Sequence, residues 1–179
     1  MRKLFALLLA AMMILASVSA IAESSPTTPT KVAQKEDEEF FTQVDLGKVG
    51  NEYKDNMQTA IDNGSSPLDV FKPETVQTII EKIGTDKAEV HEMFGLQFTG
   101  WTEEDGEQYL ILEFATEYKE GTPVTAVLGL VHGEEEPVEY VLDAKVPEDY
   151  KVEVYFPVAM LNELLTADEI FVVIVNAAE

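Results

Sequence analysis

The sequence predicts an α+β protein: a short N-terminal helical segment (40–89) packed on an antiparallel β-sandwich of about six strands (90–179). Three observations lead there. Apolar residues recur at helical spacing up to Ile83 and at every second position from about residue 92. Turn-forming residues interrupt the second half at short intervals. Two of the strands so marked out are apolar throughout.

The chain opens with the basic pair Arg2 and Lys3, the apolar run "LFALLLAAMMILA" (4–16), and Ala20 and Ala22 as the small residues of a cleavage site. That order is a secretory signal peptide, residues 1–22, cleaved after Ala22; the apolar run is short for a membrane span. An uncleaved anchor is the alternative. "ESSPTTPT" and "QKEDEEF" follow, polar and charged, and read as a disordered acidic Ser/Thr/Pro linker over 23–39.

Helical spacing next places Val49, Tyr53, Met57, Ala60 and Ile61 on one stripe, ended by "DNGSSP". Ser66 and Pro67 form the cap and first position of one or two further turns. Pro73 then opens the clearest helix, with Glu74 at its positive end, Lys82 at its negative end and Gly84 as its stop. Val76, Ile79, Ile80 and Ile83 make an apolar stripe worth roughly 1.5–3 kcal/mol per buried side chain. A helix this short is marginal alone, so it must dock on something.

The strands are "MFGLQFTGW", "QYLILEFATE", "VTAVLGLV", "VEYVLDAK", "KVEVYF" and "IFVVIVN". "KVEVYF" alternates charged and apolar residues, as a strand with one wet face does; parallel strands covered on both sides do not. "PVAMLNELL" spans only about two turns, roughly 13 Å, so it is read as a link between two sheets rather than the covering helix of a parallel unit. Strand order together with this link resembles small immunoglobulin-like sandwiches attached to exported bacterial proteins, over residues 92–177. The resemblance implies that the third and sixth strands are neighbours. Val127, Val131, Val172 and Ile174 would then form an apolar outer face, covered by the helix of residues 73–83 or by a partner. Residues 40–46 are expected to fill the far edge of the last strand, or to leave it for a partner strand.

Composition narrows the chemistry. The net charge is −22, with 34 acidic residues, and Arg2 is the sole arginine. Such a chain is repelled by nucleic acid and by anionic lipid, and nucleic acid is excluded as a partner. No cysteine is present, so the domain is held by buried apolar area; a disulfide-free exported domain points to a bacterial source. No serine follows Ser66, and His91 and His132 lie in separate segments, both read as solvated. No catalytic, cofactor or metal residues are assigned, and the protein is expected not to be an enzyme. The acidic runs at 36–39, 103–107 and 133–137 lack the alternating pattern of a calcium loop.

The expectation is an exported binding or assembly module, secreted, with a protein or glycan partner at the cell exterior and no membrane span in the mature chain. The alternative is a carbohydrate-binding module using surface aromatic residues, for which Trp101, Tyr109, Tyr118 and Tyr155 are the candidates; core packing is the competing role of such rings.

Overall fold

The two all-apolar strands are neighbours, and the other elements are arranged around them. A computed structural model describes residues 29, 31–34, 40–100, 106, 108–113 and 118–178. The proposed signal peptide and most of the proposed linker lie outside these residues. Eight strands are present among them: β1 (Lys31–Gln34), β2 (Phe41–Val44), β3 (Ala88–Phe98), β4 (Gln108–Glu113), β5 (Val124–Val131), β6 (Val138–Lys145), β7 (Lys151–Phe156) and β8 (Glu169–Ala177). The helices are α1 (Lys48–Asp62), α2 (Pro73–Ile83) and α3 (Val158–Leu164), with a 3-10 turn at Pro67–Val70.

Every strand pairing is antiparallel, in the order β1-β4-β7-β6-β5-β8-β3-β2. The wide layer is β6-β5-β8-β3-β2 and the narrow layer β1-β4-β7. They join where the end of β6 reaches β7 through the pairs Ala144↔Val154 and Lys145↔Glu153. At the opposite side the two edge strands β1 and β2 approach each other, so the sheet nearly closes on itself. The protein is thus a β-rich α+β fold.

Two differences from the expected strand set concern its edges. Lys31–Gln34, inside the stretch read as linker, pairs with β4, and Val32 packs against the core. Four residues with little alternation carry too weak a pattern to be recognised as a strand. The far edge of β8 is occupied by β3, not by residues 40–46; β2 instead lies on the other side of β3. Periodicity identifies strands but says nothing about which neighbour each one takes.

The interior between the layers contains Phe94, Leu96, Leu110, Leu112, Ala126, Leu128, Val152, Val154, Phe156, Val172 and Ile174. α3 carries the chain from β7 in the narrow layer to β8 in the wide one and closes this interior with Met160, Leu161 and Leu164. The link between sheets expected from "PVAMLNELL" is therefore realised.

A second apolar layer lies on the other side of β5 and β8. Val127, Val131, Phe171, Val173 and Val175 face Met57 of α1, Leu68 and Phe71 around the 3-10 turn, and Ile79 and Ile83 of α2. The helical segment covers this face, as anticipated, with one correction. Val127 and Val131 are on it, but Val172 and Ile174 point into the interior. A strand apolar at every position does not reveal its own parity; the cross-strand pairs Leu128↔Val172 and Val127↔Val173 set it.

Helix ends follow local rules where a local partner exists. Gly84 adopts the left-handed conformation, φ 77°, and ends α2 with its N–H donated to Ile80 O at 2.9 Å. Ser66 Oγ accepts the Leu68 N–H at 3.2 Å. α1 begins at Gly47, which has no side chain to cap it, and is capped from the far end of the chain. Glu169 Oε2 accepts the Val49 N–H at 3.1 Å and Oε1 the Gly50 N–H at 2.6 Å. A Cβ at Gly47 would collide with that carboxylate. Glu139 on β6 makes a matching tie, accepting the Tyr53 hydroxyl at 2.8 Å and the Lys72 N–H at 3.1 Å.

Glu169→Ala is expected to lower stability by about 1–2 kcal/mol, since α1 loses the side-chain cap at its N-terminus. Gly129→Ala, which would drive a methyl into the Phe171 ring, is expected to cost about 1–3 kcal/mol. Urea unfolding of both variants checks these values; wild-type midpoints would contradict the account of how the helical layer is held.

Candidate functional site

The outer face of the narrow layer brings two of the four sequence-nominated aromatic residues together. Along β4 and β7, Leu110, Leu112, Val152 and Val154 turn inward, so Tyr109 and Tyr155 turn outward, where both are half-buried. They are direct cross-strand partners, with ring centroids 5.9 Å apart and planes inclined at 42°. β6 ends alongside them. Lys145 Nζ lies 5.3 Å from the Tyr155 ring centroid and 2.8 Å from Glu153 Oε2, and the Tyr155 hydroxyl donates to the same carboxylate. The register pair Lys145↔Glu153, at the junction of the layers, makes the contact possible.

The electrostatics of this cluster are mutual. Burial pushes the Glu153 carboxyl up, but hydrogen bonds from Lys145 and Tyr155 outweigh it and leave the group below the ordinary carboxylate range. Burial, followed by the bond to Glu153, raises the Tyr155 phenol. The hydrogen bond to Glu153 holds Lys145 above its usual range. At neutral pH the face therefore presents an ammonium, a carboxylate and two phenol rings, a mixture of flat apolar surface and hydrogen-bonding groups. Such a surface can stack on the C–H face of a sugar and bond its hydroxyls.

Of the other two candidates, Tyr118 lies apart from this pair. Trp101 lies outside the described residues. Tyr118 is 4% exposed, with its ring in the interior and its hydroxyl donated to Glu92, so a ligand cannot stack on it. Alternation along an isolated segment cannot distinguish an outward tyrosine from an inward one when the hydroxyl has found a buried acceptor. His132 is half-buried, with Nδ1 3.2 Å from Thr166 O; nothing is described of the His91 side chain.

Two open clefts flank the link from β2 to α1. The larger, about 780 Å³, is lined by Gln43, Asp45, Asn51 and Lys54 among others. The smaller, about 390 Å³, is bordered by Val44, Leu164, Leu165, Asp168 and Glu169. Two of the three carboxylates bordering the smaller cleft, Asp45, Asp168 and Glu169, have structural work: Asp168 accepts the Gly133 N–H at 2.7 Å and Glu169 caps α1.

One exposed aromatic residue was not among the candidates. Tyr150, 46% exposed, sits in the turn before β7 with φ 68°, the one non-glycine residue at positive φ among those described. Its N–H donates to Tyr118 O at 2.9 Å. The motif "VPEDY" signals a turn, but not which residue becomes left-handed.

No family model matches the chain, and no curated protein or solved structure matches it either.

Tyr150→Asn should raise the unfolding temperature, because asparagine tolerates the left-handed region that costs other residues about 1–2 kcal/mol. A fall in thermal stability would mean that the tyrosine ring makes contacts outweighing that cost.

Proposed function

We propose that this is an exported, non-enzymatic binding module whose recognition surface is the outer face of the narrow layer. One observation carries the reading: Tyr109 and Tyr155 sit side by side on that face, with the Lys145–Glu153 pair at their edge. Of the partners expected from sequence, a glycan fits this face best. Its hydroxyls match the ammonium and carboxylate, and its apolar C–H faces match the rings. Secretion is supported by the N-terminal sequence pattern, and a bacterial source by the absence of cysteine. The immunoglobulin-like assignment is supported by two antiparallel layers facing across one core and a helical crossing between them. Strand-for-strand superposition on such a domain, reproducing the order β4-β7-β6-β5-β8-β3, is its test.

A protein partner is the second reading, favoured by Val44 and Leu165, which are 38% and 47% exposed and border one cleft.

Affinity electrophoresis through gels containing soluble polysaccharides tests the first reading. Retardation is expected for the wild type. Tyr155→Ala should weaken it about tenfold or more, as loss of a stacking face worth ~1.4 kcal/mol requires. Absence of retardation across neutral and charged polysaccharides, together with a stable oligomer by light scattering, would favour the second reading instead.

A further inference from the structure

The interior of the sandwich contains a carboxyl group that the recognition surface does not use. Glu92 follows a β-bulge in β3, where the register shifts between Val90 and Glu92, and it points to the same side as Phe94 and Leu96. It is 1% exposed. The Tyr118 hydroxyl donates to its Oε2, while Oε1 is buried without a hydrogen-bond partner. Glu92 is paired with Ile174 across the ladder, so Asn176 lies two residues further along β8. Asn176 Nδ2 donates to Ala177 O at 3.0 Å, leaving a second buried oxygen, Oδ1, without a partner.

A buried carboxylate served by a single donor is costly, whereas a neutral carboxyl is not and supplies a donor of its own. The surroundings favour the neutral form. β8 presents Ile174 and Asn176, neither of them titratable. The narrow layer turns Leu110, Leu112, Val152 and Val154 inward. Among the described residues, Tyr118 is the titratable group against the carboxyl, and Glu89 on the same strand adds negative charge near that phenol. No lysine among the described residues pairs with Glu92.

Tyr118 also begins the strap that leads into β5. Tyr118 O accepts the Tyr150 N–H at 2.9 Å, Glu120 N–H donates to Asp149 Oδ1 at 2.9 Å, and Gly121 N–H donates to Val146 O at 3.1 Å. The carboxyl thus connects β3 to the strap and, through the strap, to the turn between β6 and β7.

We propose that Glu92 and Tyr118, with Asn176 beside them, form a proton-operated latch: the protonated carboxyl holds the 118–122 strap closed on the sandwich, and loss of the proton admits water and loosens strap and bulge. Burial raises the Glu92 carboxyl from 4.5 to about 7, although the bond from Tyr118 lowers it. The folded state therefore binds this proton more tightly than the unfolded chain. The stabilisation is complete below the unfolded value and is lost as pH rises through about 7.

The test is urea unfolding of the full chain at about pH 5.5 and pH 8.5, with hydrogen exchange followed at residues 118–122. The unfolding constant of the wild type should rise about 30-fold over that interval, with faster exchange in the strap once intrinsic rates are corrected for pH. Glu92→Gln, neutral throughout, should abolish the rise. A flat wild-type profile, or an equal rise in Glu92→Gln, overturns the proposal. If Glu92→Gln does not fold, infrared spectroscopy of the wild type decides. A protonated-carboxyl band present at about pH 6 and absent at about pH 8.5 supports the latch; no such band at the lower pH overturns it.

Discussion

Everything else in this protein follows from β5 and β8 being apolar on both faces. A paired strand with one wet face needs one covering layer; these two need two. The inner side is covered by the narrow layer and α3, the outer side by α1, the 3-10 turn and α2. That requirement explains why short helices, marginal in isolation, persist here. At roughly 1.5–3 kcal/mol per buried aliphatic or aromatic side chain, Met57, Ile79 and Ile83 gain far more from docking than from helix propensity. It also explains how a domain without disulfides is held together. Gly129 belongs to the same arrangement: its missing side chain leaves room for the Phe171 ring, on which Tyr53 packs with ring centroids 5.0 Å apart.

Charge imbalance shapes the polar contacts in a second way. With 34 acidic residues and one arginine, which stands at position 2, carboxylates outnumber the cations available to pair with them. Tyrosine hydroxyls and backbone amides serve as donors instead. Four of the six tyrosines donate to glutamates: Tyr53 to Glu139, Tyr118 to Glu92, Tyr140 to Glu163 and Tyr155 to Glu153. Each phenol is raised: at Tyr53, Tyr118 and Tyr155 burial is the main cause and the glutamate adds to it, whereas at Tyr140 the Glu163 bond is the main cause and takes it to about 12. Glu139 and Glu169 use the same logic at larger scale, reaching from the sheet to unpaired N–H groups of the helical layer. In most of these pairs the carboxylate is at least partly in contact with water. Only at Glu92 is it carried fully into the interior, and there the proton takes the place of the missing cation.

The candidate surface was half legible in the sequence. Tyr109 and Tyr155 alternate with inward aliphatics, so their outward direction follows from period two. Their adjacency does not, because it depends on β4 pairing with β7 across 45 intervening positions in the register Tyr109↔Tyr155. Lys145 and Glu153 joined the site by the same route. Tyr118 shows the opposite case: a tyrosine outside any strand, whose direction was decided by a buried acceptor on β3.

The sequence by itself determined where the helices and the six longer strands lie, which strands have a wet face, that Pro73 opens α2 and Gly84 ends it, and that the helical segment must cover something. These properties are local, set by spacing, caps and turn residues within a few positions of one another. Tertiary structure alone decided that β3 separates β2 from β8, which face each all-apolar residue takes, that Glu169 caps a helix 120 positions earlier, and that Glu92 is buried beside a phenol. Such features depend on register between distant segments, and a uniformly apolar or very short strand carries no pattern from which that register can be read.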